Sequence, residues 1–302
     1  MTFVLTLISE PSERAADAAA AAMAARVLRE AGAVPRTPRV LAERIACDIP
    51  FSADGTEGLA AEARRRLLGR PLDIAVQPAE GRRKRLLAAD MESTLIRNEM
   101  LDELASIVDP DGELRRRIAE MTACAMKGEV EFARSLRERV ALFRGRPEGC
   151  LAQAIAAIRL MPGAVQLVGT MRKFGACTAI VTGGFAPFTE WVRERLGCDL
   201  VVGNALTVAD GALSGAVKEP ILDRDGKAAS MLRIAAERGI APEEILAVGD
   251  GANDVRMVAA AGAGVAFRAK PVLLEAARFR IDYGDLTALL YLQGYSDADI
   301  VS

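Results

Sequence analysis

The chain opens on Thr2 to Ile8, an almost unbroken apolar run that predicts a strand. An alanine-rich stretch follows with helical spacing from about Glu13 to Ala31, with Ser12 placed to cap it and Gly32 to end it. A second helix-like run covers Glu57 to Leu68, and Leu72 to Val76 returns to an extended pattern. Strand, helix, helix and strand in that order predict a small α/β unit over residues 1–81, with residues 77–84 as its linker. No cluster of chemistry-bearing side chains falls inside it.

From Arg85 onward the pattern changes. Short apolar runs at 86–89, 177–181, 200–202, 245–248 and 264–267 are bounded by glycine or polar residues, with helical patterning between them. Continuous runs of this kind are typical of central strands in a parallel sheet, so the fold class is α/β. Between the first two strands the helical pieces 98–108, 113–125, 129–143 and 148–160 break near Pro110, Gly128 and Pro147. That block exceeds a crossover connection and predicts an inserted helical cap at about 98–160. Poised over the C-terminal sheet edge, a cap would contact substrate and exclude water. Ala209-Asp210-Gly211 supplies the turn of a structural hairpin within 205–213.

Composition narrows the chemistry. The 302 residues are 51% hydrophobic but only 4% aromatic, so the core is large and mainly aliphatic. A formal net charge of -2 offers no broad basic field, which argues against a nucleic-acid partner. The first apolar run lacks a basic leader and meets Glu10 well short of a membrane span, so neither export nor a membrane anchor is expected. Cys47, Cys124, Cys150, Cys177 and Cys198 are odd in number and unpaired in spacing; they read as buried small hydrophobes in a reduced, cytoplasmic compartment. Histidine is absent, which removes serine, cysteine and zinc chemistries that depend on imidazole. Carboxylates, lysine and a hard, magnesium-like metal remain.

Four clusters fall at strand ends or helix starts. They are Asp90 with Glu92, Thr182-Gly183-Gly184, Lys227, and Asp250-Gly251-Ala252-Asn253-Asp254. Open parallel sheets bind ligands at the C-terminal ends of their strands. An acidic, metal-capable corner with hydroxyl, glycine N–H and ammonium donors suits phosphoryl transfer. Asp90 is the candidate nucleophile and Asp250 a direct metal ligand. Thr182 and its glycines form either an anion site or an ordinary turn, and Lys227, near the start of a helix over 225–238, is either a phosphate-binding charge or a solvated lysine. Asp254 is placed to orient its neighbours or contact Lys227, and Asn253 to meet phosphate or metal-bound water; otherwise both cap the helix.

Residues 83 to about 296 resemble the haloacid dehalogenase superfamily, and within it the phosphoserine phosphatases. The most specific stretches are Asn98-Glu99, Phe132 with Ser135 through Val140, Val181 through Phe185, and Val248 through Asp254. The resemblance implies a three-layer, Rossmann-like parallel sheet with a helical cap, preceded by a small α/β domain that is regulatory or dimerising. It implies a serine-biosynthetic hydrolase that releases L-serine and phosphate from L-phosphoserine, with Asp90 forming an aspartyl phosphate. Mg2+ would sit between the Asp90 carboxylate, the Glu92 backbone carbonyl and Asp250. Ser93, Thr182, Gly183, Gly184, Lys227 and Asn253 would hold phosphate, with Asp254 behind them. Glu99 would read the ammonium of the amino acid and Arg139 its carboxylate, with Met126 and Phe132 closing around it. Opposite charges of this kind select a zwitterion over a neutral alcohol phosphate.

Two positions depart from that pattern. Thr182 stands where serine is usual and keeps the hydroxyl. Glu92 stands where aspartate usually serves as general acid and base, and its extra methylene moves the carboxyl by roughly 1 Å, a displacement worth on the order of 100-fold in rate. On reach alone, shortening Glu92 to aspartate should speed turnover. A phosphotransferase to an alcohol, a phosphatase for another small phosphate, and a binding protein with weak turnover are the alternatives.

Overall fold

The computed structural model describes residues 1–126 and 130–302, with the side chain of Met126 outside that set. Strand β1 (Thr2–Ser9) is buried from Phe3 onward. Phe3, Leu5 and Leu7 pack with helices α1 (Ala18–Glu30) and α2 (Leu59–Arg66), while Ile8 faces the rest of the molecule. Between those helices lie β2 (Val34–Pro35), β3 (Arg39–Ala42) and β4 (Ala46–Ser52), and β5 (Leu72–Pro78) follows. The antiparallel order β2-β4-β1-β5, with β3 also on β4, is a ferredoxin-like βαββαβ arrangement rather than the two-strand unit expected. Asp48 and Pro50 hide β4 in the sequence, because both are poor strand residues. Pro50 stands opposite the break between β2 and β3, where its carbonyl accepts the Arg36 N–H at 2.7 Å.

Helix α1 begins at Ala18 rather than Glu13, and Ser12 is not its cap. Asp17 caps it, with Oδ1 accepting the Ala20 N–H at 2.9 Å. Ser12 instead bonds the Glu10 carboxylate through its N–H and hydroxyl, which holds the preceding segment in a turn. Gly32 ends the helix as expected, with a φ of +79° that disfavours a side chain.

In the second sheet, β6 (Leu86–Ala89) leads to four cap helices, α3 (Met100–Val108), α4 (Glu113–Met126), α5 (Phe132–Ala141) and α6 (Gly149–Ala157). An antiparallel bridge between Ile96 and Leu160 closes the base of this insertion. The chain continues through α7 (Ala164–Lys173), β7 (Cys177–Ala186), α8 (Phe188–Leu196), β8 (Leu200–Ala209), β9 (Ala212–Val217) and α9 (Arg224–Glu237). It ends with β10 (Ile245–Gly249), α10 (Val255–Ala260), β11 (Ala263–Phe267), α11 (Pro271–Leu274), β12 (Phe279–Ile281) and α12 (Ala288–Leu292). The sheet order is β12-β11-β10-β6-β7-β8-β9, parallel except for the β8–β9 hairpin. Leu87 and Ala89 of β6 face one apolar cluster, Leu86 and Ala88 the other, so helices cover both faces in three layers. The hairpin turn at Asp210-Gly211 reaches the cap, where Leu213 exchanges backbone hydrogen bonds with Gly145 and Arg146 at 2.8 Å each.

The segment 77–84 is not a free linker. Gln77 Nε2 donates to the Leu292 carbonyl at 2.7 Å, and Arg82 pairs with Asp48 at 2.6 Å while bonding the Tyr291 and Leu292 carbonyls. Asp73 accepts the N–H groups of Asp282 and Gly284 at 2.7 and 2.8 Å. Ile8, Ala46 and Ala75 share a cluster with Leu289 and Leu290, so the first sheet buries apolar surface against α12. Cys47, Cys150 and Cys198 are buried as expected, whereas Cys124 and Cys177 are half-buried. Among the described residues no helix is long and apolar enough to cross a membrane.

Candidate active site

Register brings the sequence clusters to one edge. In β6, Ala89 lies opposite Val248 of β10 and Ile180 of β7, so Asp90, one residue on, and Asp250 and Thr182, two residues on, gather at the same edge. All three are buried. Their closeness follows from strand pairing alone, since β6 is flanked by β10 and β7.

Beneath them sits a buried charge network. Lys227 Nζ reaches Asp90 Oδ1 at 2.9 Å and Asp254 Oδ1 at 2.5 Å. Asp254 Oδ2 accepts the N–H groups of Asp250 and Gly251, each at 3.2 Å. A Cβ at Gly249 would stand 2.3 Å from Asp254 Cγ, so only glycine lets this carboxylate tuck under the strand end. Lys227 enters from α9, whose start is fixed by Asp223 accepting the Gly226 N–H at 2.8 Å. Burial pulls the Lys227 ammonium downward in pKa, but Asp254 and Asp90 more than offset this and hold it charged.

Thr182 and its glycines form the adjoining wall. Gly184 N–H donates to Thr182 Oγ1 at 3.0 Å, so this N–H, expected on phosphate, is spent on the threonine. Gly183 lines the cavity, and a Cβ there would lie 3.3 Å from Phe132 Cζ of the cap. Phe132 therefore closes directly onto the core.

The cap side brings in the residues expected to read the amino acid. Glu92, Glu99, Phe132 and Arg139 line one cavity with Asp90, Thr182, Asp250 and Asn253. Glu92 Oε1 accepts the Met100 N–H at 2.9 Å, at the first turn of α3. Desolvation, the nearby Glu99 and Asp90 carboxylates push the Glu92 pKa upward against that hydrogen bond, which favours a protonated carboxyl. Ser93, expected on phosphate, donates its hydroxyl to Glu99 Oε1 at 2.6 Å. Arg139 is buried, bonded to Thr122 Oγ1 at 3.0 Å and to the Ser135 carbonyl, with no ion-pair partner among the described residues. A guanidinium left so in a cavity calls for an anion. Met126 ends α4, and its side chain lies outside the described residues.

Oxygen donors suited to a hard cation meet here. Asp90, Asp250 and Asp254 bring carboxylate oxygens within 4.8 Å of one another. Lys227 already serves Asp254 and one oxygen of Asp90, which leaves the other Asp90 oxygen and Asp250 for a metal. Burial pushes the Asp250 carboxyl up to about 6 despite Lys270, and an added divalent charge would relieve that penalty. Asn253 Oδ1 is buried without a hydrogen-bond partner among the described residues, an acceptor beside the same corner. The residues fit magnesium.

Three contributors escape sequence reasoning. Lys270 approaches Asp250 Oδ2 at 3.4 Å from the turn before α11, and nothing in Ala269-Lys270-Pro271 announces it. Thr122 is one helical polar residue among several. Asn204 alone carries a signal, as an amide between two apolar runs, and it bonds the Gly183 carbonyl at 2.8 Å.

The comparisons with known proteins agree with this geometry. A model of the haloacid dehalogenase-like hydrolase family matches residues 87–259. The phosphoserine phosphatase of Streptomyces coelicolor is 39% identical over 290 residues, covering 93% of this chain and 68% of that protein. A solved family hydrolase from Salmonella enterica subsp. enterica serovar Typhi superimposes with a TM-score of 0.83 at 26% identity, over 96% of this chain and 98% of that one. A substrate-bound phosphoserine phosphatase complex superimposes at 0.65 with 36% identity, over 69% of this chain and 98% of that one. Since the match runs through the α/β core from the strand before Asp90 to the helix after Asp254, this chain belongs to the haloacid dehalogenase-like hydrolase family.

Proposed function

We propose that this chain is a magnesium-dependent phosphoserine phosphatase that works through an aspartyl phosphate on Asp90. One observation carries the reading: the Asp90 carboxylate, held by Lys227, lines the same cavity as Glu99 and Arg139. Arg139 takes the substrate carboxylate and Glu99 its ammonium, which orients the phosphate toward Asp90. A carboxylate oxygen of Asp90 attacks phosphorus as the bond to the serine oxygen breaks. Glu92, whose environment favours the protonated form, gives its proton to that leaving oxygen. Glu92 then takes a proton from the water that attacks phosphorus, and the Asp90–phosphorus bond breaks to free phosphate. Thr182 and Lys227 hold the phosphoryl oxygens, and Asp254 keeps Lys227 in place. Asp90, Asp250 and the Glu92 backbone carbonyl would hold the magnesium ion, which supplies neutralising charge at the phosphoryl oxygens.

Purified protein with magnesium is expected to release serine and inorganic phosphate from L-phosphoserine, and Asp90→Asn to abolish the release. Wild-type release no greater than the D90N background would defeat the proposal. With homoserine added, hydrolysis is expected to exceed phosphate transfer.

A further inference from the structure

Asn204 is buried in β8, opposite Phe185 of β7, and its side chain spans two parts of the site. Nδ2 donates to the Gly183 carbonyl at 2.8 Å, and Oδ1 accepts the Leu222 N–H at 2.7 Å. Those partners, one acceptor and one donor, fix which way the amide points.

The first bond sets a peptide plane. In a trans peptide the carbonyl and the following N–H point in opposite directions. With the Gly183 carbonyl held by Asn204, the Gly184 N–H is turned the other way and donates to Thr182 Oγ1 at 3.0 Å. A hydroxyl accepting that bond keeps its single proton for donation elsewhere. Backbone proximity supports the same placement: a Cβ on Gly203 would stand 3.0 Å from the Gly184 carbonyl oxygen, so β8 lies directly against the Thr182–Gly184 part of β7.

The second bond sets a helix entry. Leu222 precedes Asp223, which caps α9, and Lys227 follows within the first turns. A Cβ on Gly226 would stand 3.1 Å from Leu222 Cδ1, so Leu222 also packs onto the start of that helix. One side-chain amide thus touches both the Thr182–Gly184 part of β7 and the approach to Lys227.

We propose that Asn204 is a positioning residue for the phosphate-holding groups, aligning the Thr182 hydroxyl and the helix that carries Lys227. The proposal rests on the phosphoryl-transfer reading of the site, but not on phosphoserine being the substrate. Its role is separate from Glu99 and Arg139, which the cap supplies.

The test compares wild type with Asn204→Ala in magnesium, titrating inorganic phosphate and L-serine separately by calorimetry and following kcat, KM and thermal melting. N204A is expected to weaken phosphate binding and lower kcat about tenfold each, while L-serine affinity stays unchanged. If N204A does not fold, Asn204→Ser keeps a short polar group and takes its place in the same comparison. Phosphate affinity unchanged, or falling in step with L-serine affinity, would overturn the proposal, as would a wild type that binds no phosphate. A wild type that binds phosphate but leaves L-phosphoserine intact defeats only the substrate assignment, and the phosphate titrations still decide Asn204.

Discussion

Glu92 Oε1 accepts the backbone N–H of Met100 at 2.9 Å, so the carboxyl that follows the nucleophile by two residues is docked on the first turn of the cap. The extra methylene that sets Glu92 apart from aspartate is taken up by this reach. Residue length alone suggests that aspartate would turn over faster, and the docked geometry reverses that expectation. Glu92→Asp would withdraw from Met100 and misplace the proton donor, so kcat for L-phosphoserine is expected to fall about tenfold or more. A kcat for E92D equal to or above wild type would show that the contact with α3 is dispensable.

Arg139 has Thr122 and a main-chain carbonyl for partners, which leaves its charge for a carboxylate in the cavity. Arg139→Ala is expected to raise KM for L-phosphoserine on the order of 100-fold. Its KM for phosphoethanolamine, which lacks the carboxylate, should change far less. Parallel steady-state measurements on the two substrates check this.

Asp250 and Asp90 supply the oxygens left available beside Lys227. Removing divalent ions with a chelator should stop phosphate release, and added magnesium should restore it. Asp250→Asn should weaken magnesium binding about tenfold or more, read by calorimetry independently of turnover.

Asp17 caps α1 and pairs with Arg70 at 2.6 Å. The Arg70 hydrogen bond, helped by the Ala20 N–H, holds its carboxyl below the usual range. A depressed folded value means the stabilisation is complete above the unfolded value, about 3.9, and is lost as pH falls through the folded one. Asp17→Ala is expected to cost about 1 kcal/mol in denaturant unfolding, a gap steady from about pH 7 to pH 5 and shrinking below about pH 4.

Arg82 and Asp48 form a largely buried pair that joins the two sheets. Arg82→Ala leaves Asp48 buried without its cation, so a loss of about 3 kcal/mol is expected in the same unfolding measurement. A loss no larger than that of an exposed arginine would mean that water replaces the guanidinium freely.

The place of the candidate residues was readable because they follow short apolar runs, although β7 continues past Thr182 to Ala186. Asp90 follows Leu86 to Ala89, Asp250 follows Ile245 to Gly249, and Thr182 follows the apolar run ending at Val181. The cap was legible too, as helical periodicity too long for a connection. Strand β4 was not, because Asp48 and Pro50 owe their places to Arg82 and to a break in the neighbouring edge, which only the folded chain reveals. Ser12 misled for a related reason: Glu10, two residues away, competes for it and leaves Asp17 to cap the helix.

By itself the sequence determined which groups are on offer: carboxylates, a threonine, a lysine and no histidine, in an order matching alternating strands and helices. Tertiary structure alone decided how they are wired. Ser93 serves Glu99, Gly184 serves Thr182, Lys227 joins Asp90 to Asp254, and Glu92 docks on the cap. Hydrogen-bond partners depend on distances of a few ångströms set by the folded backbone, whether the residues are near in the chain or far apart, and periodicity carries no such information.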